Sequence, residues 1–151
     1  MHALATAAGC QLVASCDLAL AADTAEFAIP GGKASLFCHT PLVAVARNIG
    51  RKRAMEMALT GDAIDAATAA DWGLINHAVS VEQLDAATLD LIQRASCGCA
   101  VSKAMGKQGY YQQIDLPQQE AYAVSGERMA QGAARDAAQQ SFSAFLNKRT
   151  A

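Results

Sequence analysis

The first thirty positions of the chain alternate short apolar runs with small or polar residues. Short apolar runs bounded by turn formers are typical of buried strands. The predicted strands cover residues 2–6, 18–21 and 26–29. Residues 10–15 predict a helix, because apolar residues recur there near helical spacing. A polar turn joins the second and third strands, and Pro30-Gly31-Gly32 ends the third.

Capping and breaking residues in the middle of the chain predict three consecutive helices. Thr40 is predicted to cap the first, which Pro41 opens with its fixed φ and missing amide hydrogen. Asp65 is predicted to cap the third. The predicted helices cover residues 40–49, 51–59 and 66–72, and they end at Gly50, Gly61 and Gly73. Residues 74–79 predict a further strand.

Beyond residue 80 the pattern predicts helices alone. Ser80-Val81-Glu82-Gln83 is a capping-box pattern that opens a helix reaching about residue 95. Three more predicted helices cover residues 101–113, 117–131 and 134–148. Early strands and late helices make this an α/β chain with a C-terminal helical subdomain. The predicted first strand has no obvious neighbour, so another segment or subunit is expected to pair with it.

Composition favours a folded chain and excludes two classes of partner. Hydrophobic residues make up 52% of the 151 positions and charged residues 17%, which allows a core to be buried. Aromatic residues are only 5%, so the helices are expected to pack through small side chains. The net charge of -2 and the scattered Lys and Arg exclude the basic face that nucleic acid requires. No apolar run reaches the roughly 20 residues of a spanning helix, so no membrane is expected.

The five cysteines are an odd number in a chain without a signal peptide. This predicts reduced thiols and a cytoplasmic location. We expect small buried thiols rather than redox or metal roles. Cys97-Gly98-Cys99 has the wrong spacing for a zinc knuckle, and no two histidines are paired at helical spacing, so no metal site is predicted. The histidines are His2, His39 and His77.

Three segments resemble, in order, parts of one known family. GCQLVASCDLALAADTAEFAIP (residues 9–30) resembles a stretch that runs from an oxyanion-hole helix through a Cys-Asp strand start to a Phe-Ala-x-Pro turn. ARNIGRKRAMEMALTGDAIDAATAADWGLINHAV (residues 46–79) resembles a helix pair, a Leu-Thr-Gly loop, a small-residue helix and a Gly-Leu-Ile-Asn strand. SAFLNKR (residues 143–149) resembles a C-terminal helix. The family is the crotonase superfamily of enoyl-CoA hydratases and isomerases.

The resemblance implies a spiral of repeated β-β-α turns, followed by helices that build trimers and often dimers of trimers. Residues 1–95 match only the later turns of this spiral, and residues 96–151 match the trimerisation helices. The family's N-terminal portion, which contributes one oxyanion amide and much of the CoA-binding loop, has no counterpart in this sequence. A truncated or split form is therefore expected.

Family members bind an acyl-CoA thioester as substrate rather than cofactor, and two backbone amides hold its enolate oxygen. The resemblance places one of these amides at Ala8; the alternative is that Ala7-Ala8-Gly9 only permits close helix packing. The family's two hydratase glutamates fall on Gln11 and Gly31, and neither residue can accept a proton. Ordinary hydratase and isomerase activity is therefore not expected.

Another side chain is needed if a proton is to be transferred. His39 is the nearby side chain of a type that exchanges protons near neutral pH, so it is a candidate catalytic residue. The alternative is a solvent-exposed residue at a helix start. A Cys38-His39 nucleophile pair is disfavoured, because adjacent side chains seldom point at each other. Lys33 and Ser35 are expected to be solvated loop residues.

The C-terminal helix carries two candidate CoA-binding residues. By resemblance, Phe145 and Lys148 fall where family members place an aromatic ring and a cation near the adenine and phosphates of CoA. The alternatives are a core phenylalanine and a helix C-terminal charge. The sequence leaves three hypotheses open: an acyl-CoA enzyme of altered chemistry, a non-catalytic protein that binds CoA esters or assembles with active paralogues, and an inactive fragment.

Overall fold

The computed structural model describes residues 1–149, and the chain divides into two compact units, the first covering Met1–Arg94 and the second beginning at Ala95. The strands are β1 (Ala5–Thr6), β2 (Leu20–Ala22), β3 (Glu26–Ala28), β4 (Ile64–Asp65) and β5 (His77–Val79). The helices are α1 (Ala8–Ala14), α2 (His39–Ile49), α3 (Arg51–Thr60), α4 (Ala66–Trp72), α5 (Leu84–Ser96), α6 (Ala100–Gln113), α7 (Gln118–Ala133) and α8 (Asp136–Arg149). Short 3-10 turns cover Pro30–Ala34 and Val81–Gln83.

The strands form two small sheets. In one sheet β1 pairs in parallel with β3, and β4 pairs antiparallel with the other side of β3. In the other sheet β2 pairs in parallel with β5. The consecutive strands β2 and β3 therefore lie in different sheets, although only a short turn separates them. The two-residue strand β4 carries no local signal and was not among the predicted strands.

The first strand has the neighbour that the sequence left open, and it is another segment of the same chain, β3. Ala5 of β1 lies opposite Phe27 of β3, and Ala7 donates its backbone N–H to the carbonyl of Ala28 at 2.9 Å. Met1 also pairs with β2, since its amino group donates to the carbonyl of Leu20 at 2.7 Å. The chain itself therefore provides partners for its first residues.

Most of the predicted helix ends are confirmed. Gly61 and Gly73 end α3 and α4 with φ of 64° and 86°, the left-handed conformation that glycine adopts without a steric penalty. The carboxylate of Asp65 accepts the backbone N–H of Thr68 at 2.7 Å and caps α4. This hydrogen bond lowers the pKa of Asp65, because it favours the ionised carboxyl.

Two predicted caps are wrong. α2 begins at His39, so Thr40 lies within the first turn rather than before it. The preceding residue, Cys38, makes no side-chain capping bond. Ser80 makes none either, because a 3-10 turn separates it from the start of α5.

Alanine is the commonest residue in the core of the first unit. Phe27, Ile29, Val45 and Met57 supply its large, fully buried side chains. The buried alanines include Ala5, Ala21, Ala22, Ala25, Ala54, Ala58, Ala66 and Ala69. Small side chains let the elements approach closely, as the composition predicts.

Within the described residues of the second unit, the regular elements are all helices, joined by short loops. The guanidinium of Arg128 on α7 donates to the side-chain oxygen of Gln112 on α6, at 3.1 Å from Nε and 2.9 Å from Nη2. A cleft of about 640 Å³ lies within this unit, between α6, α7 and α8. No helix within residues 1–149 is both long and apolar enough to cross a bilayer.

Replacing Asp65 with alanine tests whether the cap stabilises the first unit. Loss of the bond to the Thr68 N–H leaves that donor without its capping partner, so we expect the midpoint of urea denaturation to fall. Urea denaturation measures the change. Asp62→Ala is the matched control: it removes an exposed ion pair with Lys33, and we expect a smaller fall in the midpoint. Equal losses in the two variants would contradict the capping role.

Candidate functional site

The start of α1 depends on an unusual backbone conformation at Ala7. Ala7 has φ 47° and ψ -114°, a region that residues with a Cβ seldom occupy. Two hydrogen bonds hold it there: its N–H donates to Ala28, and its carbonyl accepts the N–H of Gln11 at 3.0 Å. The helix therefore begins at Ala8, next to the end of β3.

The N-terminus of α1 is open. Ala8 and Gly9 are exposed, whereas Cys10 is fully buried and Gln11 is half-buried. Amide groups at the first turn of a helix have no partner within the helix and carry a partial positive charge. The predicted oxyanion residue Ala8 is thus the first residue of α1, and Gln11 follows it within the first turn.

Gly31 is buried in the 3-10 turn that follows β3, and the space beside it is filled. A Cβ atom placed on Gly31 would lie 2.2 Å from the carbonyl oxygen of Leu36. It would also lie 2.6 Å from the backbone nitrogen and 2.7 Å from the Sγ of Cys38. Two of these atoms belong to the backbone, so rotating a side chain cannot relieve the contact. Position 31 therefore admits glycine alone in this arrangement.

The loop that closes over Gly31 leads directly into α2. Ser35 has φ 60°, which turns the chain back towards the 3-10 turn. His39, the first residue of α2, is exposed, and its ring meets the ring of Phe37 edge to face at 5.2 Å between centroids. This exposure agrees with the alternative of a surface residue at a helix start, and it leaves the imidazole accessible.

Lys33 is exposed, as expected of a solvated residue, and it also forms a surface ion pair. Its Nζ lies 2.5 Å from a carboxylate oxygen of Asp62, which follows α3. The hydrogen bond and charge of Lys33 lower the pKa of Asp62. This exposed pair links the 3-10 turn to the end of α3 and has no evident chemical role.

Cys10 and Cys38 bring the starts of α1 and α2 together. Cys38 packs against the core cluster that contains Cys10. Burial, with a smaller contribution from the neighbouring Cys38 thiol, raises the pKa of Cys10 to about 11. Cys10 is therefore a neutral thiol near neutral pH and unsuited to nucleophilic attack.

The expectation of buried thiols is wrong for three cysteines. Cys10 is buried and Cys38 is half-buried, but the remaining three are exposed. The exposed thiols are Cys16, Cys97 and Cys99. All three lie at or beyond helix ends, where the chain leaves the packed face. Within residues 1–149 no three His, Cys, Asp or Glu side chains are grouped so as to hold a metal ion.

The predicted CoA-binding residues lie in the second unit. Phe145 and Lys148 both lie on α8 and are exposed, and their spacing of three places them on one face of the helix. Phe145 is thus not a core residue within the described structure. The other predicted site residues, Ala8, Gln11, Gly31 and His39, belong to the first unit.

The contact between Cys38 and Gly31 was not anticipated from the sequence. Seven positions separate these residues, and no local periodicity relates them. The conformation of Ala7 was also missed; its one signal is the small-residue run Ala7-Ala8-Gly9.

Comparison with known proteins identifies the class to which this site belongs. The family model described as Enoyl-CoA hydratase/isomerase matches residues 1–151. The chain therefore belongs to the enoyl-CoA hydratase/isomerase family, and the predicted crotonase-like α/β fold is confirmed.

Particular relatives are similar along nearly the whole chain. Enoyl-CoA hydratase domain-containing protein 3, mitochondrial, from Mus musculus is 42% identical over 149 residues, which are 99% of this chain and 50% of the relative. The protein of the same name from Homo sapiens is 39% identical over 99% of this chain and 49% of its own length. The chain thus spans about half the length of these relatives.

Two solved structures extend the comparison to three dimensions. An enoyl-CoA hydratase from Mycobacterium smegmatis is 43% identical, with a TM-score of 0.94, covering 98% of this chain and 58% of that one. Human enoyl-CoA hydratase domain-containing protein 3 is 40% identical, with a TM-score of 0.90, covering 96% of this chain and 57% of that one.

Substitution of Gly31 tests the packing beside it. We expect Gly31→Ala to lower the free energy of unfolding by about 1–3 kcal/mol, because the added methyl group meets backbone atoms. Gly9→Ala is the control: a Cβ at Gly9 has no neighbour within 4 Å, and alanine favours helix. Thermal unfolding of both variants measures the difference. If Gly31→Ala were as stable as Gly9→Ala, the loop over Gly31 would be able to move and accommodate the added methyl group.

Proposed function

We propose that the protein containing this chain binds an acyl-CoA thioester and does not catalyse the ordinary hydration of enoyl thioesters. Family membership supports the first half of this proposal. The observation that carries the second half is the closed space beside Gly31. A second observation supports the same half: residue 11 is a glutamine, which has no carboxylate.

The start of α1 supports thioester binding. A carbonyl oxygen that becomes negative during reaction is stabilised by amides held in a fixed direction at a helix N-terminus. Ala8 occupies that place, and Ala7 sets the direction of the following peptide. The amide belongs to the backbone, so alanine at position 8 supplies it as well as glycine does. By the family resemblance, the second amide comes from the portion for which this chain has no counterpart.

The side chains near α1 do not support water addition. Adding water across a double bond needs one group that accepts a proton and one that donates it. The amide of Gln11 can orient a water molecule or a carbonyl, but it cannot accept a proton near neutral pH. Gly31 has no side chain, and its surroundings admit none.

His39 is the group we propose for any proton transfer that remains. Its imidazole is exposed at the start of α2, in the chain segment that closes over Gly31. Histidine can both accept and donate a proton near neutral pH. A thioester reaction other than standard hydration is therefore the chemistry that these residues favour.

Phe145 and Lys148 are proposed to contact the CoA portion of the ligand. An exposed ring can stack on the adenine, and an ammonium can pair with a phosphate. Both side chains lie on one exposed face of α8, which supports a joint role.

The relatives from Mus musculus and Homo sapiens are named as mitochondrial proteins. This differs from the cytoplasmic location that the cysteines predict.

Binding and hydration can be measured separately on the full-length protein. We expect calorimetry to show micromolar binding of acetyl-CoA or crotonyl-CoA, and we expect no loss of enoyl absorbance with crotonyl-CoA above background. Gln11→Glu should leave hydration below the rate of an ordinary hydratase by at least about 100-fold, since it restores only one of two proton-transfer groups.

Gln83→Glu supplies the matched control, because it makes the same chemical change in the exposed turn before α5. Absence of heat with several acyl-CoAs would refute thioester binding. Rapid hydration by the unchanged protein would refute the second half of the proposal, and it would leave the first half standing.

We also propose that α6, α7 and α8 assemble copies of the protein into a trimer or a dimer of trimers. Large apolar side chains on these helices are exposed, among them Tyr122 at 70% and Met129 at 78%. Others are Tyr110, Phe142 and Leu146. A group of exposed apolar side chains this large is typical of an interaction surface.

A charge on this surface should weaken assembly. We expect Met129→Asp to shift the protein from trimer towards monomer in sedimentation velocity, because a carboxylate loses its hydration when it is buried. Val43→Asp on α2 changes an exposed apolar residue of the first unit and should leave the trimer intact. A monomeric protein before any substitution would rule out the assembly proposal without affecting acyl-CoA binding.

A further inference from the structure

Two thiols stand one residue apart on the surface of the second unit. Cys97 and Cys99 are both exposed, and neither is in a disulfide. They occupy the short segment between the end of α5 at Ser96 and the start of α6 at Ala100. We propose that Cys97 and Cys99 form a vicinal dithiol site that binds trivalent arsenicals and is oxidised by hydrogen peroxide to an intramolecular disulfide.

The backbone of this segment allows the two sulfur atoms to meet. Residues two apart have Cα atoms no more than about 7 Å apart even in an extended chain. Disulfide-bonded cysteines have Cα atoms about 4.4–6.8 Å apart. Gly98 has φ 89°, so the chain bends between the thiols and the separation is shorter than the extended limit. Glycine also leaves no side chain between them.

Hydrogen bonds fix the segment through its backbone and leave the thiols exposed. The ammonium of Lys103 donates to the carbonyl oxygens of Ala95 and Cys97. The backbone N–H of Lys103 donates to the carbonyl of Cys99 at 3.1 Å. These bonds tie the end of α5 to the first turn of α6 on both sides of Gly98. Both thiols are therefore presented from a short, anchored loop.

The other cysteines lack this arrangement. Cys10 is buried and its thiol is neutral near neutral pH, and Cys38 is half-buried. Cys16 is exposed like the pair, but no cysteine lies within a few residues of it on the C-terminal side. It therefore serves as a matched single thiol.

The oxidation balances with hydrogen peroxide as the oxidant. One thiolate attacks a peroxide oxygen, the O–O bond breaks, and a sulfenic acid forms as hydroxide leaves. The second thiolate attacks that sulfur, the S–S bond forms, and the S–O bond breaks with loss of a second hydroxide. The two thiol protons and the two hydroxides give two waters. The dithiol loses two electrons, which reduce the peroxide.

Arsenical binding needs no oxidant. Phenylarsine oxide condenses with two thiols, so that two As–S bonds form and the oxygen leaves as water. A single thiol cannot complete this ring. We expect the loss of either cysteine to weaken binding by about 100-fold or more, since the second As–S bond gains from a high effective concentration.

The test uses the whole chain with phenylarsine oxide and, separately, hydrogen peroxide. Intact-mass measurement should show one arsenical adduct per chain, lost in Cys97→Ser and in Cys99→Ser and kept in Cys16→Ser. Trypsin cleaves after Arg94 and Lys103, so both thiols stay in one peptide, residues 95–103. After peroxide this peptide should be lighter by two hydrogen atoms, and dithiothreitol should restore its mass.

Three results would overturn the proposal. The adduct could persist in either serine variant, which would place it at another thiol. Peroxide could give separate sulfinic acids on Cys97 and Cys99 instead of a disulfide. It could also link two chains through these cysteines, and non-reducing electrophoresis would reveal the dimer. None of these outcomes depends on acyl-CoA binding, so the dithiol and the proposed function are tested independently.

Discussion

The close contact of Gly31 with the loop that leads into α2 constrains the packing of the first unit. The carbonyl of Leu36 and the backbone nitrogen of Cys38 lie where a side chain at position 31 would begin. These backbone atoms cannot move aside without moving α2, which is packed into the core through Val45 and Ile49. Position 31 therefore carries no side chain for a reason built into the packing around it, beyond the identity of one residue.

The start of α1 is also closely packed against its neighbouring strands. Ala7 holds a conformation that glycine adopts more easily, and its hydrogen bonds to Ala28 and Gln11 compensate for the strain. Small residues on both sides allow β1, β3 and α1 to meet at this point. The exposed N-terminus of α1 and the filled space beside Gly31 both belong to the first unit.

Both units expose aliphatic side chains, but among the described residues the exposed phenylalanine and tyrosine rings belong to the second unit. In the first unit Phe27 is buried, and Phe37 and Trp72 are half-buried. The second unit also carries the Cys97 and Cys99 pair on a loop anchored by Lys103. The proposed assembly and thiol chemistry belong to this unit, and the proposed thioester chemistry to Ala8, Gln11 and His39 of the first.

The sequence by itself determined the features that depend on neighbours within a few residues. Gly61, Gly73 and Asp65 define helix ends through local backbone and capping forces, and ordered motifs identified the family. Only the tertiary structure decided that β2 and β3 join different sheets, that Cys97 is exposed, and that no side chain fits at Gly31. These properties arise from contacts between segments that local spacing does not relate. Glycine at position 31 is readable in the sequence, but the packing that excludes a side chain there is not.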